Sequence, residues 1–121
     1  MSHRILIVDD EPNIVISLEY LMKKEGFQVA VATDGEVALQ LASTFLPDLI
    51  LLDVMMPKKS GFEVCQALRA NQALVGVKII MLTAKGRESE VAKGLALGAD
   101  VYITKPFSTK DLVLQIKSML A

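Results

Sequence analysis

The sequence predicts an α/β fold, a five-stranded parallel sheet with helices on its faces, built as one βα unit repeated five times. Three observations carry this. Four short runs are apolar, with Lys78 the one exception: Ile5-Leu6-Ile7-Val8, Leu49-Ile50-Leu51-Leu52, residues 77–82 and Val101-Tyr102-Ile103. A parallel strand covered on both faces reads this way, whereas a half-exposed strand alternates. Segments with apolar residues at helical spacing stand between the runs, and the connections are short. Strict alternation of this kind implies right-handed crossovers and compact layers.

Each element has its own justification. After the first strand, Ile14, Leu18, Leu21 and Met22 recur at i, i+4, i+7 and i+8, forming one apolar helix face. Lys23 and Lys24 lie near its end, where the helix dipole favours cations, and Gly26 stops it. A second strand, 27–32, runs from Gly26 to the turn Thr33-Asp34-Gly35. Ala38, Leu39 and Ala42 make the second helix stripe, closed by Pro47. Phe62, Cys65 and Leu68 mark a third helix after Ser60-Gly61; Val91 and Leu95 mark a fourth, ended by Gly98. Leu112, Val113, Ile116 and Leu120 mark the last. No linker, repeat or low-complexity stretch interrupts the order, so residues 1–121 are expected to form one domain.

Composition narrows the function. With 13 basic and 14 acidic side chains the net charge is −1, which argues against a nucleic-acid surface. The single cysteine, Cys65, excludes an internal disulfide, and its apolar helical setting suggests a buried, inert thiol. His3, the only histidine, has no partner motif for metal binding. The N-terminus lacks the long apolar region of a signal peptide, and no stretch has the length to cross a bilayer. A soluble, cytoplasmic domain without membrane contact is expected.

In open parallel sheets, ligands bind at the carboxyl ends of the strands. The first strand ends in Asp9-Asp10-Glu11, the third in Asp53, the fourth in Thr83-Ala84 and the fifth in Thr104-Lys105-Pro106. These endings share one edge, so carboxylates, a hydroxyl and an ammonium converge. Crowded aspartates repel, and a hard divalent cation with oxygen ligands resolves the repulsion. Magnesium fits best, because it takes one or two carboxylates and keeps waters and a phosphate oxygen. Lys105, the Thr83 hydroxyl and a following backbone N–H suit phosphoryl oxygens, and Asp53 suits the nucleophile of an aspartyl-phosphate.

Taken singly, each residue has a plainer reading. Asp10 or Glu11 before Pro12 can start a helix. Asp53 can initiate a loop, Thr83 can end a strand, and Lys105 can be solvated. Joint placement at successive strand ends favours the functional reading. A phosphatase with an aspartate nucleophile is the enzymatic rival, but Asp53-Val54-Met55 offers no second carboxylate two residues on. A nucleotide-binding domain lacks its glycine-rich loop after the first strand.

Five segments, in order and spacing, give the chain its resemblance: residues 5–12, 48–57, Ser60-Gly61, 81–84 and 98–107. It resembles the receiver domain of two-component response regulators over essentially its whole length. The resemblance implies a doubly wound, flavodoxin-like sheet of order 2-1-3-4-5. It implies that Asp53 accepts phosphate from a histidine kinase or phosphotransfer protein with Mg2+ bound. Asp10 is then the direct metal ligand, Asp9 acts largely through water, and Met55 contributes a backbone carbonyl. Lys105 contacts phosphate and precedes Pro106 in a cis bond, while Thr83, with Ala84 behind it, and Tyr102 form the switch. The implied output surface, for an output protein or attached effector domain and for a possible phosphorylation-dependent dimer, spans 88–98, 101–104 and 110–120. Met55 and Lys85 occupy positions that tune hydrolysis, and their side chains predict a long-lived phosphoryl group.

Overall fold

A computed structural model of the chain describes residues 3–56, 58–84 and 90–121. The expectations at Lys85 and at the start of the fourth helix, near Glu88, lie outside those residues. The elements run β1 Arg4–Val8, α1 Pro12–Lys24, β2 Gln28–Ala32, α2 Gly35–Phe45, β3 Leu49–Asp53, α3 Gly61–Ala70, β4 Lys78–Ala84, α4 Val91–Ala96, β5 Val101–Lys105 and α5 Thr109–Leu120. All four strand pairings are parallel, and the order is β2-β1-β3-β4-β5. The doubly wound, flavodoxin-like arrangement is therefore present.

Alternation along each strand splits the core into two layers. Leu6, Val8, Ile50, Leu52, Ile79 and Met81 pack with α2 and α3 on one face. Ile5, Ile7, Leu49, Leu51, Ile80 and Leu82 pack with α1 and α5 on the other. Both sets are fully buried, which explains the unbroken apolar runs; each such side chain contributes about 1.5–3 kcal/mol relative to exposure.

The helices begin where their sequences direct. Asp34 and Ser108 cap α2 and α5, and Ser60 with Glu63 forms a reciprocal capping box at α3. Strand ends differ from the apolar runs in one direction: β3, β4 and β5 each continue into polar residues. Thr83 and Ala84 lie inside β4, paired with Thr104 and Lys105, because parallel ladder bonds persist as long as a neighbour does. A 3-10 turn at Gln72–Leu74, supported by the Asn71 side chain accepting from Ala73 N, was not predicted.

Opposite the site edge, Arg69 ties α3 to the start of β4 and the α4–β5 corner. Its guanidinium donates to the carbonyls of Gly98 (2.8 Å), Val75 (3.0 Å) and Val77 (2.6 Å) and to the Asp100 carboxylate (2.9 Å). Asp100 Oδ2 also accepts from Ile79 N at 2.8 Å. Arg69→Ala is expected to lower the unfolding free energy by about 2–3 kcal/mol, since several acceptors lose a charged donor together. Urea titration checks this, and a loss within error of zero would contradict it.

Candidate functional site

Asp9, Asp53 and Thr83 are the buried polar residues among those described, and all three stand at the carboxyl edge of the sheet. Register explains the convergence. Val8 pairs with Leu52, so Asp9 and Asp53 follow side by side, and Asp53 itself pairs with Leu82 next to Thr83. Carboxylate oxygens of Asp9, Asp10 and Asp53 lie within 4.8 Å of one another. Gly61 lets α3 start directly on this edge: its N–H donates to Val54 O at 2.8 Å, and a Cβ there would overlap the Asp53 carbonyl.

Lys105 supplies the opposing charge. Its Nζ lies 2.9 Å from Asp9, 3.1 Å from Glu11 and 3.5 Å from Asp53, with the side chain only 13% exposed. Burial alone would lower its pKa, but the hydrogen bonds Lys105 donates to Asp9 and Glu11 and the charges of Asp53 and Asp9 outweigh burial and raise it. One cation does not balance this many acids. Burial and then the charge of Asp9 push the Asp53 carboxyl up to about 6, against Lys105 and the Met55 N–H, which pull it down.

These features fit a divalent cation. Two carboxylates without full compensation and an exposed Asp10 beside them form an all-oxygen donor set open to solvent on one side. The carboxylates are also not spent on helix capping. Glu11 occupies the N-cap position of α1 but makes no side-chain cap bond, while Asp9 Oδ1 accepts from Glu11 N at 3.0 Å. Buried Thr83 Oγ1 has no hydrogen-bond partner among the described residues, an orphaned donor beside the acids.

The remaining candidates fall nearby. Ala84 is the exposed last residue of β4, and Met55 is exposed two residues past Asp53, its N–H reaching Asp53 Oδ1 at 3.4 Å. The Lys105–Pro106 bond is cis. Tyr102 pairs with Met81 across β4 and β5, its ring turned into the α2–α3 layer. Cys65 is fully buried, and burial pushes its thiol pKa up, as an inert thiol requires. Glu11 is the partner that sequence reasoning missed. It was legible only as a helix starter, because it precedes Pro12 and stands at the N-cap of α1.

A doubly wound sheet carrying paired aspartates, a central aspartate, a threonine and a lysine on successive strand ends is the pattern of a receiver domain. The chain belongs to the response regulator receiver domain family, whose model matches residues 5–117. It is the receiver domain of a two-component response regulator, a signalling domain and not a conventional enzyme. It is 48% identical over 120 residues to the alkaline phosphatase synthesis transcriptional regulatory protein PhoP of Bacillus subtilis (strain 168), covering 99% of this chain and 49% of that protein. The chain thus spans about half the length of that curated relative. Among solved structures, the chemotaxis response regulator CheY4 of Vibrio cholerae is 30% identical with a TM-score of 0.92, covering 98% of this chain and 99% of that one. A CheY-like receiver domain protein of Methanospirillum hungatei JF-1 is 32% identical with a TM-score of 0.92, covering 99% and 94%. Among the described residues, no helix is long and apolar enough to cross a membrane.

The Asp53 shift has a consequence for stability. Its folded pKa of about 6 lies above the ordinary 3.8, so the folded state binds more protons between those values. The contribution of Asp53 therefore becomes unfavourable as pH rises through this window. Without divalent cations, Asp53→Asn is expected to raise the unfolding free energy at pH 7 by on the order of 2 kcal/mol, with the gain shrinking toward pH 4. Denaturant titrations of both chains at the two pH values check this; an equal difference at both would contradict it.

Proposed function

We propose that the chain, as one domain over residues 1–121, is a phosphorylation-controlled switch that stores one phosphoryl group on Asp53. The observation that carries this is the buried Asp53 carboxylate facing Lys105 at 3.5 Å, with burial and the charge of Asp9 raising its pKa to about 6. Its oxygen attacks the phosphorus of a donor phosphohistidine; the P–N bond breaks and the imidazole keeps the electron pair. Lys105 then exchanges carboxylate partners for a phosphoryl oxygen, and the Thr83 hydroxyl with the Ala84 N–H binds another. When bound, Mg2+ would supply charge neutralisation to this site. Asp10 and Asp53 would hold it directly, Asp9 largely through water, and Met55 through its carbonyl.

In this reading the donor is a histidine kinase or a phosphotransfer protein. Thr83 moving toward the phosphate and Tyr102 turning behind it alter the surface of α4, β5 and α5. That surface binds an output protein or attached effector domain, or pairs two phosphorylated copies. Similarity to a transcriptional regulatory protein of twice this length supports an effector domain in a longer regulator. The domain itself contacts no nucleic acid in this reading, consistent with its net charge of −1.

Incubation with magnesium and a small phosphodonor, followed by intact-mass measurement, tests the central step. Wild type should gain one phosphate and Asp53→Asn none; equal labelling of both would overturn the assignment. Multiple turnover of a phosphate ester would instead support a phosphatase. Met55, with Lys85, offers no acidic or amide group to position a hydrolytic water. The phosphoryl group is therefore expected to last minutes or longer. A half-life of seconds in magnesium, read from the decay of the labelled mass, would contradict that.

A further inference from the structure

Gly94 stands inside α4, where glycine weakens a helix relative to alanine. What it faces offers a reason. A Cβ at this position would stand 2.7 Å from Tyr102 Cε2, 3.2 Å from Tyr102 Cδ2 and 3.0 Å from Met81 Sδ. These separations are too short for carbon against a ring. The space usually filled by a side chain is filled by the Tyr102 ring, whose hydroxyl oxygen is shielded from solvent.

The helix is held where it is. The neighbouring Lys93 places its ammonium 4.6 Å from the centre of the Phe62 ring on α3. Gly94 O accepts from Leu97 N at 3.2 Å and Ala99 N at 3.1 Å, closing the corner into β5. Relief of an added Cβ therefore falls to the ring, which swings on single bonds at its side-chain base. The seat also lies beside the chemistry. Met81 is the register partner of Tyr102, and Thr83 is two residues further on the same face of β4, about 7 Å along the strand.

We propose that Gly94 is the positioning residue that admits the Tyr102 ring beneath α4, so that side-chain volume at residue 94 sets the balance between inward and outward ring positions. This deepens the switch reading above, in which Tyr102 follows Thr83. A larger residue at 94 denies the inward position and uncouples the output surface from Asp53, without touching the phosphoryl chemistry.

The chain has two tyrosines and no tryptophan, and Tyr20 is exposed on α1, so Tyr20→Phe leaves Tyr102 as the only tyrosine reporter. Acrylamide quenching of its fluorescence is compared with and without Gly94→Ala. The quenching constant should rise several-fold in the variant; an unchanged constant would overturn the proposal. Melting temperatures provide the second arm. With Tyr102 present, Gly94→Ala should lower the melting temperature or prevent folding. In a Tyr102→Ala background the same change should raise it, as helix propensity dictates. An identical shift in both backgrounds would overturn the assignment. Phosphate gained per chain is measured separately, so failure of the phosphoacceptor reading shows in the wild-type mass and not as a change in quenching.

Discussion

The contact of Lys105 with Asp9, Glu11 and Asp53 is the constraint on which the site depends. Two of those carboxylates are buried, and burying an unpaired charge is costly enough that a protein normally protonates it or leaves it outside. Here one ammonium is shared among three acids, with Asp10 beside them. The sharing keeps the edge assembled without neutralising it, and the raised Asp53 pKa records the shortfall. A fully compensated cluster would be more stable and would have little use for a cation or a phosphoryl group.

The fold maintains this arrangement because the charged residues sit at the ends of strands that are otherwise fully buried. Side chains two residues upstream of Asp9 and Asp53, Ile7 and Leu51, are locked in the same apolar layer. Parallel register then leaves the carboxylates no freedom to separate along the strand. Gly61 brings α3 onto the backbone of Asp53, and the Arg69 clasp secures the far end of the same layers. Under Asp53 the apolar strand residues are fully buried. Tyr102, half-buried at an edge strand beneath a six-residue helix, stands where a ring can change place.

Much of this was legible in the residues because strand identity follows from the apolar runs and site chemistry from the polar residues that end them, whereas the strand order was implied only by the family resemblance. Asp9, Asp10, Asp53, Thr83 and Lys105 could be assembled on paper, since an α/β alternation places strand ends together whatever the distance in sequence. The polar ends of β3, β4 and β5 were less visible, because hydrogen-bonded pairing extends a strand without any apolar signal. Glu11 was invisible as a partner of Lys105: as an exposed acid before a proline, its sequence context speaks only of a helix start. The place of Gly94 depends on the Tyr102 ring, which no pattern around Gly94 announces.

The acidic edge is short of positive charge, and a divalent cation held there would stabilise the folded state. The most direct measurement is the unfolding free energy of the unphosphorylated chain at pH 7 as magnesium is added at constant ionic strength. A cation bound by the folded state alone stabilises it by about 2.7 kcal/mol at a hundredfold excess over its Kd. A rise of this form is expected in the wild type and is lost in Asp10→Asn. A wild-type stability independent of magnesium, or an equal rise in Asp10→Asn, would contradict it.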